Sequence, residues 1–275
     1  MILTETARLT PKRRAYIEQE FSRHAPDYNS AATVQNNGAH QLVNLLDGLL
    51  PNQEGAQILE IGCGTGFITE ILAARLGPVD YLVTDISQQM LEQCRAKMAQ
   101  TEIEAHLHFA QLDANDFELP TAAFDLIVGG FVLQWLKDYP SVLIDLVRAL
   151  KPGGVLALSF PAEGSYAEWK SASEELGLPF TANPLPDIDI VTSEAIFDET
   201  FDMDVYLGTV KPEYASAIDF FREMKTIGAS VQQSGTSLSA RQFKSLVSQM
   251  DKAAGEEPVI VSQKIGYLIV KQTQS

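Results

Sequence analysis

Cysteine is scarce: Cys63 and Cys94 are the only two in 275 residues. That is too few for a disulfide framework and fits a reducing, cytoplasmic setting. Positive charge is scarce as well, with 20 Lys and Arg against 36 Asp and Glu and a net charge of −16. A general nucleic-acid binder needs cations to neutralise phosphates, so no nucleic-acid partner is expected. Long apolar runs are missing too. The longest, "FDLIVGGFVLQWL", is too short and too broken by glycine to cross a bilayer, so no membrane role is expected. The opening "MILTETARLTPKRRAYIEQE" is polar and helix-like, without the charged-then-apolar order of a secretory leader. Histidines number four; His106 and His108 alternate along one strand, a spacing that suggests no metal site.

What the chain does have is apolar residues, 45% of the total, enough for a sizeable core. From residue 57 to 161 short apolar runs alternate with helical patterns. "QILEIG" (57–62), "DYLVTDIS" (80–87), "HLHFAQLD" (106–113), "FDLIVGG" (124–130) and "GVLALSFP" (154–161) read as strands. "FITEILAARL", "SQQMLEQCRAKMAQ" and "YPSVLIDLVRAL", apolar at every third or fourth residue, read as helices. Such alternation predicts an α/β fold, a mostly parallel sheet covered on both faces. One or two helices are expected before it, around 11–22 and 35–50. After it come a helix near 165–176, a strand at "DMDVYLGTVKP", helices near 213–227 and 239–252, and a last strand, "VIVSQKIGYLIVK". No repeat or linker divides the chain. One domain is expected, with a helical cap (1–50), a core (57–161) and substrate-side insertions (162–200 and 211–257).

In an open parallel sheet, ligands bind beyond the carboxyl ends of the strands where the strand order reverses. "ILEIGCGTGFITEIL" (58–72) places Gly62, Gly64 and Gly66 at such a turn, where the backbone can approach a ligand that a Cβ would block. A dinucleotide loop, G-x-G-x-x-G, would need glycine at 67, and that residue is Phe67, which disfavours a nicotinamide enzyme. Two acids follow in register. Asp85, nineteen residues beyond Gly66, closes the second strand and is suited to ribose hydroxyls, and Asp113 closes the third.

From Glu60 the loop reads Glu-x-Gly-x-Gly-x-Gly, which resembles motif I of class I S-adenosylmethionine (SAM)-dependent methyltransferases. The resemblance implies a Rossmann-like, seven-stranded sheet with an antiparallel last strand and helical lid insertions. SAM is the implied cofactor, S-adenosylhomocysteine the product, and no metal is needed. It also implies that Glu60 orients the methionine end, that Asp85 and Ile86 meet the ribose region, and that Asp113 and Ala114 meet the adenine. Gly129 would line the floor below the sulfonium. Cys63 belongs to the loop, and no His or acid is identifiable beside it to make it a nucleophile. "KPGG" (151–154) resembles the turn before the fifth strand.

Outside the loop the resemblance narrows. "FSRHAPDYNSAATVQNNGAHQLVNLL", "GGFVLQWLKDYPSVL", "LSFPAEGSYAEWKSA" and "FFREMKTIGAS" together resemble the malonyl-acyl carrier protein O-methyltransferases of biotin synthesis. The implied reaction is transfer of a methyl group to the free malonyl carboxylate on an acyl carrier protein. Tyr28 would position that carboxylate, with Gln134 and Trp135 beside the transfer point and no general base required. Phe21, Phe160 and Trp169 are equally suited to line a pocket or to pack a core. Positive charge gathers in two segments: residues 1–25 hold five basic against three acidic residues, and 211–252 hold six against four. Arg222 with Lys225, and Arg241 with Lys244, are spaced to share helix faces and to dock an acidic carrier, with Arg8, Lys12, Arg13 and Arg14 as possible additions. The alternatives are a methyltransferase for a free small-molecule carboxylate or other small acceptor, and a non-catalytic SAM-binding protein.

Overall fold

The computed structural model describes residues 11–51, 53–229 and 237–273, with side chains from residue 15 onward. Three helices lead: α1 (Pro11–His24), α2 (Tyr28–Ala31) and α3 (Thr33–Leu45). The alternating core follows as β1 (Gln57–Ile61), α4 (Phe67–Ala73), β2 (Asp80–Asp85), α5 (Gln88–Met98), β3 (His106–Gln111), β4 (Phe124–Gly130), α6 (Tyr139–Arg148) and β5 (Leu150–Pro161). The remainder is α7 (Ala167–Glu175), α8 (Ile188–Val191), β6 (Phe201–Val210), β7 (Glu213–Tyr214), α9 (Ala217–Thr226), α10 (Ala240–Ala254), β8 (Val259–Ile260) and β9 (Gln263–Gln272).

The main sheet has the order β3-β2-β1-β4-β5-β9-β6. Strands β1 to β5 pair in parallel, and β9 runs antiparallel between β5 and β6, as the sequence pattern and the resemblance imply. Side-chain alternation divides the core. Ile58, Tyr81 and Val83 face one side, under Leu42 and Leu46 of α3, Leu72 of α4 and Leu91 of α5. Leu59, Ile61 and Ile127 face the other, under Leu143 and Leu146 of α6. Strands buried on both faces explain why their sequences read as continuous apolar runs. A third cluster lies apart from these two, where Tyr166, Trp169, Phe220, Leu246 and Met250 join α7, α9 and α10.

Several boundaries differ from the sequence reading, each for a local reason. The third helix stops at Leu45, not 50, and the short α2 precedes it. Strand β2 ends at Asp85 because the Ser87 hydroxyl accepts the Met90 N–H at 3.2 Å and so starts α5. Strand β3 ends at Gln111, leaving Asp113 in the loop beyond it. "KPGG" lies inside β5 rather than ahead of it. Pairing jumps from Phe124↔Leu150 to Leu126↔Val155, and the extra residues loop out as a bulge around Gly153 (φ 80°). The last apolar run is two strands: β8 pairs with β7 in a separate ribbon, and only β9 enters the main sheet. Residues 213 and 214, read as helix, belong to that ribbon.

Gly266 on β9 sits opposite Phe160 of β5 with no room for a side chain. A Cβ there would stand 2.6 Å from the ring of Phe160, which is fully buried and cannot swing away. Gly266→Ala is expected to cost ~1–3 kcal/mol through overpacking. A shift of that size in the urea midpoint, with an unchanged slope, checks it.

Candidate functional site

The strand order reverses between β1 and β4, and a cavity of about 350 Å³ opens beyond their carboxyl ends. That volume is within the range of small-molecule sites. Its lining changes character along its length. Gly62, Gly64, Asp85, Ile86, Asp113 and Ala114 supply one part, carried by the last residue of β2 and by the loops that follow β1, β2 and β3. Phe131, Gln134, Trp135, Tyr166, Trp169, Phe221 and Phe243 supply another, from the loop after β4 and from the third cluster. Ile17, Phe21 and Tyr28 of the N-terminal helices cover it.

The glycine loop takes its shape from left-handed backbone at Gly62 (φ 67°), Gly64 (φ 55°) and Gly66 (φ 88°). Asp85 holds it there. Its Oδ2 accepts the Gly64 N–H at 2.8 Å and its Oδ1 accepts the Ser87 N–H at 2.8 Å, so one carboxylate joins the β1 and β2 loops. Burial raises its pKa to about 6 against the pull of those backbone donors. Asp113 is also buried, and its Oδ1 accepts the backbone N–H of Asn115 at 2.9 Å.

Four expected site residues are not on the cavity surface. Glu60 is buried beneath the loop, where it accepts hydrogen bonds from Thr69 Oγ1 at 2.8 Å and from the Tyr81 hydroxyl, so its carboxylate points into the packing below the loop. Gly66 is a packing residue: a Cβ would meet Cys94 Sγ at 2.6 Å, so it lets α4 approach α5. Gly129 lies within the sheet, its missing Cβ facing Ile61 and Leu158, and the neighbouring Gly130 lines the cavity instead. Cys63 is buried, with its thiol pushed well up by desolvation and by Cys94, the reverse of an activated nucleophile. Gln134 lines the cavity, but its Nε2 donates to the Phe131 carbonyl at 2.7 Å and braces the turn that presents Trp135. Trp135 meets the ring of Phe21 edge to face at 5.0 Å.

Tyr28 is half-buried on the cavity wall, its ring 6.4 Å from Phe67, and burial with the nearby Asp85 raises its pKa, so its hydroxyl stays protonated. Phe21 and Trp169 line the cavity, whereas Phe160 packs under Gly266. Arg222, Lys225, Arg241 and Lys244 are exposed on α9 and α10, helices joined by Phe221 and Phe243 at 5.0 Å. Arg222 is also paired with Asp219 at 2.9 Å. Arg8 and the side chains of Lys12, Arg13 and Arg14 lie outside the described residues. The sequence reading missed Phe131 and Tyr166. Both line the cavity with positive φ, 54° and 63°, which bulky residues adopt only where packing enforces it, and no local sequence signal marks such backbone.

Burial raises the Glu60 pKa to about 7 despite its two hydroxyl donors. A carboxyl whose pKa is higher folded than unfolded binds more protons in the native state, so its contribution falls as pH rises through that window. With Asp85 near 6 and Glu60 near 7, stability is expected to decline from about pH 4 to 7. Glu60→Gln keeps an acceptor for Thr69 and Tyr81 without the charge. Melting temperatures from pH 5 to 8 are expected to fall less in this variant than in the parent, and parallel curves would show that Glu60 does not titrate there.

Residues 59–156 match the family model described as a methyltransferase domain. The chain is 30% identical over 218 residues to the malonyl-[acyl-carrier protein] O-methyltransferase of Magnetococcus marinus, covering 79% of this chain and 78% of that one. It is also 30% identical over 238 residues to the biotin biosynthesis bifunctional protein BioCD of Bordetella avium, spanning 86% of this chain but only 49% of that longer protein. The crystal structure of the YcgJ protein from Bacillus subtilis shares the fold, with a TM-score of 0.60 and 15% identity over 86% of this chain and all of that one. The chain is therefore a SAM-dependent methyltransferase and belongs to the malonyl-[acyl-carrier protein] O-methyltransferase family.

Proposed function

We propose that this protein transfers a methyl group from SAM to the free carboxylate of malonyl-acyl carrier protein, giving the malonyl methyl ester that enters biotin synthesis. The observation that carries this reading is the extent of the kinship. It runs over 79% of the chain, well beyond the methyltransferase core at 59–156 and into the segments that close the cavity.

The cavity's residues suit SAM. A Cβ on Gly64 would project into open space at the cavity wall, so its absence leaves room for a ligand against the backbone. Gly62 and Gly64 would hold the methionine portion, Asp85 and Ile86 the ribose, and Asp113 and Ala114 the adenine. Asp85 oxygens already engaged with Gly64 and Ser87 retain lone pairs for hydroxyl donors. When bound, SAM supplies a methyl group activated by its sulfonium.

The chain's own task is then to hold an acceptor in line and keep water out. A carboxylate is ionised at neutral pH, since such acids titrate near pKa ~4, so no side chain has to remove a proton. The protonated Tyr28 hydroxyl donates to that carboxylate, and Trp135 and Phe21 close the wall beside it. Orientation of this kind recovers roughly 7–11 kcal/mol of barrier. The apolar lining suits the neutral ester formed better than the charged acid consumed. The exposed cations Arg222, Lys225, Arg241 and Lys244 dock the acidic carrier.

Incubation of malonyl-acyl carrier protein with enzyme and SAM is expected to add the mass of one methyl group to the carrier, removable by a carboxyl esterase. Methylation of a free diacid or malonyl-coenzyme A in preference to the carrier would favour a small-molecule acceptor. SAM binding without transfer to any acceptor would favour a non-catalytic protein. The charge reversal Arg222→Glu with Lys225→Glu is expected to lower kcat/KM for the carrier-bound substrate about tenfold and to flatten or invert its decline with added salt. Activity on malonyl-coenzyme A is the internal control, and an unchanged kcat/KM on the carrier removes that pair from the docking surface.

A further inference from the structure

The glycine loop has a second tie besides Asp85, and it leads into the N-terminal cap. Thr65 Oγ1 donates to Asn29 Oδ1 at 2.5 Å. Thr65 is buried at 3% exposure, and it is not among the residues that line the cavity, so its hydroxyl serves the cap and not a ligand. Asn29 directly follows Tyr28 in α2.

Other contacts hold the rest of the cap. Ser22 of α1 shares a hydrogen bond with Ser87 at 2.9 Å, Gln111 donates to Glu18 at 2.9 Å, and Phe21 packs on Trp135. These reach the ends of β2, β3 and β4, and all of them are made by α1. Helix α2 is different. It has four residues, and Asp27 at its N-cap makes no side-chain capping bond. A single turn fixes several backbone dihedrals for very few hydrogen bonds, so it cannot hold its own orientation. It packs against α9, and the Tyr28 ring leans on Phe67, but its hydrogen-bonded tie to the loop is the bond from Thr65.

We infer that Thr65 is a positioning residue. Its hydrogen bond to Asn29 sets the orientation of Tyr28, so ordering the glycine loop and ordering the acceptor side of the cavity become one event. This rests on the role of Tyr28 proposed above. The physical consequence is cooperative: a loop seated on its ligand holds Thr65 still, Thr65 holds Asn29, and the phenol hydroxyl next to it is held at the transfer point. A misplacement of about 1 Å at a reacting group costs on the order of a hundredfold in rate.

Thr65→Val keeps the side-chain shape and removes the donor, and Asn29→Ala removes the acceptor from an exposed position. Each is expected to lower kcat roughly tenfold or more while leaving the calorimetric Kd for SAM within about threefold. Each should also speed amide exchange at residues 28–31 in the cofactor-free protein, a readout independent of turnover. Combined with Tyr28→Phe, neither should slow transfer further, because the hydroxyl they position is already gone. If Tyr28→Phe slows transfer but Thr65→Val and Asn29→Ala change neither kcat nor exchange, the inference fails and the role of Tyr28 stands. Losses that multiply with Tyr28→Phe would also overturn it, since Thr65 would then act elsewhere. A silent Tyr28→Phe removes both.

Discussion

One buried carboxylate organises the carboxyl edge of this sheet. Asp85 ends β2, and its two oxygens accept from Gly64 of the preceding loop and from Ser87 at the start of α5. Backbone N–H groups buried away from water need such partners, and the glycine loop, with three residues in left-handed conformation, has little regular structure to supply them. The arrangement also sets the electrostatics. Asp85 and Glu60 are both buried acids with raised pKa values, pushed chiefly by desolvation. A cationic ligand would relieve that cost by favouring their charged forms.

Glu60 illustrates how a motif residue works without touching a ligand. One of its oxygens, Oε2, accepts both from Thr69, in the helix that follows the loop, and from Tyr81, on the neighbouring strand. It therefore braces the loop from below while Asp85 ties it from the side. Gly66 belongs to the same support, because the approach of α4 to Cys94 leaves no space for a Cβ. The loop's shape is a property of the packing under it as much as of its glycines.

The other half of the cavity is built on different principles. Tyr166, Trp169, Phe220 and Phe221 form a chain of ring contacts with centroids 4.9–6.0 Å apart, an apolar wall tied to β9 where Ser165, next to Tyr166, accepts the Lys264 N–H at 2.8 Å. Aromatic clusters of this kind bury large areas with little loss of side-chain freedom. One end of the cavity thus offers acids and backbone polar groups, and the other offers rings. That gradient suits a polar donor and an acyl acceptor meeting between them.

Much of this architecture was legible in the residues. Apolar runs buried on both faces require a parallel sheet, and the three glycines, Asp85 and Asp113 recur at the ends of consecutive strands, so local pattern sufficed to place the loop and its acids. The sequence by itself also determined the charge pairs at 222 and 225 and at 241 and 244, since helical spacing is a local property. It did not determine which way a buried side chain points. Glu60, Gly129 and Cys63 sit within the motif or at a strand end yet face packing, because the alternation that aims them depends on which sheet face each neighbouring helix covers. Nor does spacing reveal contacts between distant segments. The strained backbone at Phe131 and Tyr166, the division of the last apolar run between two sheets, and the bond from Thr65 to Asn29 all arise where parts of the chain far apart in sequence compete for the same space. Only the assembled tertiary structure decides that competition, because close packing leaves each of those groups a single place to go.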